Sequence, residues 1–144
     1  MIIFGPHNIL GDWLCQRIEY MPTKNLRCLG NVTSEGKILG VVGFDSWNGA
    51  SCQIHVAGDG NWVTREFLRC VFDYVFNVAK LKVIVCIIES VNKKSLKFTR
   101  HVGWKEITRI VDGHPSGDLI VFEMRPEDCK FLEKTNGQSY SRAA

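Results

Sequence analysis

The apolar positions of this 144-residue chain change period several times, and each change predicts an element. In "ILGDWLCQRI", residues 9–18, Ile9, Trp13, Leu14 and Ile18 recur at helical spacing, which predicts one short helix. Met21 to Asn25, with Pro22, reads as a turn or linker. Strands are predicted over Arg27–Thr33 and Lys37–Trp47, joined by the tight-turn signal "SEG". Asn48-Gly49 is a strong hairpin signal and sends a third strand back from Ala50 to Ala57. From Trp62 to about Ala79, Val63, Phe67, Leu68, Val71, Phe72, Val75 and Phe76 form one stripe, with charged and polar residues elsewhere, as in an amphipathic helix. "LKVIVCIIES" is continuous in β-branched residues rather than alternating, the pattern of a buried central strand. A second helix is predicted from about Asn92 to Val102. Two strands follow, "WKEITRIV" and "DLIVFEMR", around the turn "DGHPSG". Beyond Asp128 a last short helical piece is expected, and the end of the chain has little to bury.

The order α–β–β–β–α–β–α–β–β predicts an α/β fold: a mixed, mainly antiparallel sheet flanked by helices. One domain is expected over residues 1–133, with 134–144 a disordered tail. Composition changes this little. Hydrophobic content of 45% and charged content of 23% fit a soluble globular domain. No apolar run approaches about 18 residues, and "MIIFGPH" is too short for a signal peptide, so no membrane partner is expected. Six scattered cysteines lack zinc spacing, and four fall in apolar runs. They predict no metal and a reducing, cytoplasmic setting. The net charge of +3 is compatible with nucleic acid, but no basic patch is interleaved with aromatics.

Candidate chemistry concentrates in "IHVAGDGNWVTREFL", residues 54–68, where a strand runs through two glycines into a helix. A helix N-terminus leaves N–H groups without partners and carries partial positive charge, so it suits a phosphate. Gly58 and Gly60 allow close approach, and the N–H groups from Gly60 through Asn61, Trp62 and Val63 to Thr64 could ring a pyrophosphate, with the Thr64 hydroxyl and Arg65 adding donors. The alternative is a plain turn in which Asp59 or Asn61 caps the helix. Alternation along the strand puts Cys52, Ile54 and Val56 on one face and Ser51, Gln53, His55 and Ala57 on the other. A histidine such as His55 is suited to proton abstraction; the alternative is a side chain satisfied by the sheet or solvent.

The order of elements and the stretch "NKKSLKFTRHVGW" resemble the GNAT family of acyl-CoA-dependent N-acetyltransferases, over about residues 1–126. The family pattern of Asn, small residue, aromatic or Leu, Tyr, then Gly-aromatic is met at Asn92, Ser95, Phe98, Thr99, Gly103 and Trp104, with Thr99 where Tyr is usual. "KEITRIV…DLIVFEM" resembles the closing strand pair, and "NWVTREFLRCVFDYVF" resembles uncharacterised, often phage-encoded members. The resemblance implies a V-shaped opening between the strand ending near Ala57 and the one ending near Ser90. Acetyl-CoA, the implied co-substrate, would lie there with its pyrophosphate on the helix beginning at Trp62. It implies His55 as the general base on the strand, Thr99 in the position of the usual Tyr acid, and a backbone N–H near Val56 polarising the thioester. Asn92 would tie the pantetheine arm or simply cap its helix, and Ser95 would assist the leaving thiolate. The implied partners are an acyl-CoA and an amine acceptor of unidentified class, and a homodimer is left open. The loop departs from the family in Asp59-Gly60-Asn61-Trp62, which has no basic residue and no second small one. The implied function is direct acetyl transfer to an amine; the alternative is a catalytically degenerate GNAT-fold binding or host-interaction protein.

Overall fold

The structure, a computed structural model, describes residues 1–132, so the tail expected at 134–144 lies outside the described residues. The chain runs β1 (Ile2–Phe4), α1 (His7–Cys15), β2 (Arg27–Val32), β3 (Ile38–Asp45), β4 (Ser51–Gly58), α2 (Arg65–Asp73), β5 (Val83–Glu89), α3 (Lys93–Val102), β6 (Lys105–His114) and β7 (Gly117–Met124). Seven strands form one sheet in the order β1-β2-β3-β4-β5-β7-β6, antiparallel at every pairing except β4 with β5. This is the mixed, mainly antiparallel sheet that the pattern predicts.

Several boundaries differ from expectation, each for a local reason. Strand β1 was not expected, because three residues are too few to show a period; it pairs Ile2, Ile3 and Phe4 with Asn31, Gly30 and Leu29 of β2. The helix expected from Trp62 to Ala79 begins at Arg65, and after Asp73 it continues as a π-helical turn, Tyr74–Val78. A single wide turn leaves the apolar stripe nearly in phase, so the periodicity does not disclose it. Strands β6 and β7 extend into the expected "DGHPSG" turn and leave only Pro115 and Ser116 between them. Beyond Met124 the described chain makes a 3-10 turn at Pro126–Asp128, and the helical piece expected beyond Asp128 falls largely outside the described residues.

Helices cover the two faces of the sheet unequally. On one face Val42, Phe44, Cys52, Ile54 and Ile84 pack against Phe67, Val71, Phe72 and Val75 of α2. Ile88, Ile120 and Phe122 continue that face under Leu96 of α3. On the other face α1 lays Leu10 and Leu14 over Cys28 and Val41, beside Leu26. Helix α1 reaches β2 and β3, so among the described residues β5 is covered by helices on one side only. Ile87, expected to be buried in a central strand, is 37% exposed on the open side.

Candidate functional site

The parallel pair β4–β5 is in register only at Ser51 with Val83, Cys52 with Ile84 and Gln53 with Val85. Beyond Gln53, β4 keeps its pairing with β3 as far as Gly58, while β5 keeps its pairing with β7 as far as Glu89. The two strands separate and leave a notch in the middle of the sheet. Antiparallel pairing fixes where the β4 backbone points. The Asp59 N–H donates to the Leu39 carbonyl at 2.8 Å, so odd-numbered residues bond to β3 and even-numbered ones face β5. The other end agrees, since the Ala50 carbonyl accepts from the N–H groups of Lys82 and Val83 at 2.9 and 3.3 Å. The N–H and C=O groups of Val56 and Gly58 therefore project into the notch, past the last β4–β5 pair. The Val56 side chain is 42% exposed.

The loop after Gly58 is shaped by a tryptophan. Trp62 folds back so that its indole lies on the bare backbone of β3 and β4: a Cβ at Gly40 or Gly58 would come within 2.1 and 1.9 Å of it. Its carbonyl accepts from Asn31 Nδ2 at 2.7 Å, and its ring meets Phe67 edge-on at 5.2 Å between centroids. Gly60, with φ of +67°, supplies the left-handed residue of the reversal. Trp62 is thus a buried anchor before the helix and not a residue of its first turn. The cap is Thr64, whose Oγ1 accepts from the Phe67 N–H at 3.0 Å, so neither Asp59 nor Asn61 has that role. The first-turn N–H groups that the cap leaves open are those of Arg65 and Glu66. Asp59 turns toward α1, where its carboxylate lies 3.8 Å from Arg17 Nη2. Arg17 in turn covers the Trp13 ring at 3.5 Å.

His55 stands on the α1 side of the sheet, half-buried, with its ring stacked on Tyr20 at 3.8 Å and 19° between planes. Burial pushes its pKa down to about 4, and the nearby Asp45 carboxylate offsets only part of that. The imidazole is uncharged at neutral pH. Tyr20 donates its hydroxyl to Asp45 Oδ2. Asp45 is buried at the end of β3 and also accepts from Thr23 N–H at 2.8 Å, from the Thr23 hydroxyl and from Ser46 N–H at 2.9 Å. Burial would raise this carboxyl, but the hydrogen bonds from Thr23, Tyr20 and Ser46 outweigh it, so the group titrates below its ordinary value.

Asn92 caps α3, its Oδ1 accepting from Ser95 N–H at 3.2 Å. Thr99 is buried in the α3 stripe that also carries Leu96 and Val102, on the sheet face opposite His55. The fold thus gathers Val56, Gly58 and the loop to Arg65 along one side of the notch, keeps His55 on the α1 face, and leaves Thr99 behind the sheet. All six cysteines are free thiols. Burial raises Cys52 beside the notch, and Cys86 on β5, to about 12, far from a reactive thiolate. Sequence reasoning missed Tyr20, Asp45 and Asn31. Only Asp45 carried a signal, as an acid ending the apolar strand "LGVVGF".

A seven-stranded sheet of this order, parted between its two parallel strands and flanked by helices on both faces, is the GNAT fold. No family model and no curated protein matches the sequence. Among solved structures the chain is similar to a point mutant of the spermidine N-acetyltransferase SpeG from Vibrio cholerae, at 14% identity and a TM-score of 0.74, over 92% of this chain and 96% of that one. It is also similar to the ribosomal-protein-S5-alanine acetyltransferase from Vibrio fischeri, at 19% identity and a TM-score of 0.62, over 73% of this chain and 64% of that one. At these identities the likeness is one of fold.

Proposed function

We propose that the protein is an acetyl-CoA-dependent N-acetyltransferase that moves an acetyl group directly to an amine. The observation that carries this reading is the pair of unpaired β4 backbone groups at Val56 and Gly58, facing an opening that no side chain of β5 is in register to close. An extended amide-bearing arm completes such a strand edge by hydrogen bonding, in the way a further strand would. When bound, acetyl-CoA supplies an activated acetyl group, whose transfer forms a C–N bond and breaks a C–S bond. The residues present fit that co-substrate. Val56 N–H is a fixed donor for the thioester oxygen, which gains charge as the amine attacks. The open N–H groups of Arg65 and Glu66, with the Arg65 side chain, take the place at the pyrophosphate that was expected of Gly60–Thr64. Gly58, Gly60 and Asn61 bring the loop backbone close; Trp62 and Val63 fix its course. Asn92 and Ser95 stand at the N-terminus of α3, after the end of β5.

His55 takes the proton that the amine nitrogen must lose, through a ring nitrogen that is uncharged at neutral pH. The proton taken up by the leaving thiolate comes from water or from the imidazolium so formed, because Thr99 lies behind the sheet and an aliphatic hydroxyl is a poor acid. No covalent enzyme intermediate is required, in keeping with the burial that raises the thiols of Cys52 and Cys86 far above their ordinary value. His55→Gln is expected to lower turnover by about 10²-fold or more. Its acetyl-CoA affinity should stay unchanged, with thiol release measured across a panel of primary amines. Equal turnover by the variant removes His55 from the base role. If the wild type binds acetyl-CoA and releases no thiol with any amine, the alternative of a GNAT-fold binding protein takes over.

A further inference from the structure

His55 has an unusual support. Neither of its ring nitrogens makes a hydrogen bond among the described residues, and it is not among those with further partners. Functional imidazoles are commonly oriented by a hydrogen bond to one nitrogen. Here the ring is oriented instead by the flat face of Tyr20, and Tyr20 is itself pinned by Asp45. Asp45 is well built to be a fixed point. It is buried, both of its oxygens are used, and it ties Tyr20, Thr23 and Ser46 to the end of β3. It thereby holds the connection between α1 and β2 down over β4. The cross-strand neighbour of His55 is Gly43, so no side chain on β3 competes with Tyr20 for the imidazole face.

We propose that Tyr20, held by Asp45, is a positioning residue for His55: the stacked phenol fixes the imidazole plane, shields one of its faces from water and leaves both nitrogens free for an acceptor. The proposal rests on the reading of His55 as the base, but the clamp itself can be tested apart from that reading. Among the described residues, the groups around the imidazole are few. Asp45 is the charged residue whose field reaches it; Gln53 and Ala57, its neighbours on the same face of β4, and Gly43 carry no charge. Tyr20 is further flanked by the thiols of Cys15 and Cys28, and Cys28 is pushed up to about 12 by burial, so neither neighbour supplies a charge near neutral pH. Water exclusion by the phenol is therefore the main influence that a change at position 20 removes.

The test is an NMR titration of the four histidine rings in the full chain, with His55→Gln used to assign the His55 signal. In the wild type His55 should titrate near 4. In Tyr20→Leu, which removes the stack, its midpoint should move up toward the ordinary 6.5. Tyr20→Phe keeps the ring but loses the bond to Asp45; it should give a smaller upward shift and weaker ring-to-ring nuclear Overhauser contacts. Thr23→Val loosens the same pin without touching either ring and serves if Tyr20→Leu fails to fold. An unchanged His55 midpoint in the folded variants overturns the clamp. The acid limb of kcat/KM should follow the NMR midpoint from variant to variant, while KM for acetyl-CoA stays constant. If the midpoint moves and the acid limb does not, the clamp stands and the base reading falls.

Discussion

Asp59 is the residue least suited to a loop that receives a pyrophosphate, and its placement removes the conflict. Thr64 caps the helix, so the carboxylate is free to turn to Arg17 at the end of α1, away from the first turn of α2. An exposed pair at 3.8 Å contributes little to stability, so Asp59→Ala should leave the unfolding midpoint nearly unchanged. His55 leads to a different expectation. Its folded-state pKa of about 4 lies below the 6.5 of an unfolded chain, so between those values the unfolded state binds the extra proton. That contribution destabilises the native state as pH falls from about 6.5 to about 4, and is absent above that range. Urea unfolding of the wild type and of His55→Gln should show the difference moving in favour of the variant over that interval; parallel curves would contradict the imidazole's burial. At this scale the sequence discloses residue type but not neighbours. His55 could be picked out because strand alternation fixes its face. Tyr20 could not, because it lies in an aperiodic linker and its partner Asp45 is 25 residues away.

Among the elements, the loop from Gly58 to Thr64 shows how a glycine pattern can be ambiguous. Gly58 looks like a phosphate-loop glycine, yet together with Gly40 it makes a flat bed for the Trp62 indole. Gly58→Ala would drive a methyl group into that ring and should cost about 1–3 kcal/mol. Trp62→Ala should cost about 3–5 kcal/mol and release the loop. Both are read from chemical denaturation; an unperturbed Gly58→Ala would mean that the indole does not rest there. Cross-strand stacking of an indole on two glycines from different strands leaves no local periodic signal, which is why Trp62 was expected in the helix. Asn92 was legible for the opposite reason: capping is a local interaction, and its donor, Ser95 N–H, is three residues away.

For the whole molecule, the strands β2 to β5 and the helices α2 and α3 were legible because each carries a long apolar pattern or a turn dipeptide. The short β1 and the π-helical turn were not, having too few residues to establish a period. The notch was visible only through the GNAT resemblance, since no residue of β4 or β5 records where their pairing stops. It exists because β4 follows β3 and β5 follows β7 after only three shared register positions. If this unpaired edge receives acetyl-CoA, a proline in it should weaken binding. The Val56 N–H faces the notch and not β3, so Val56→Pro deletes that donor while leaving the β3–β4 ladder intact. In calorimetric titration of the full chain with acetyl-CoA, the wild type should show one binding event per chain. A folded Val56→Pro should bind at least about tenfold more weakly, in line with the loss of one well-placed hydrogen bond. A wild-type protein that takes up no acetyl-CoA, or a Val56→Pro variant that binds it equally well, would show that the notch is not the acetyl-CoA site.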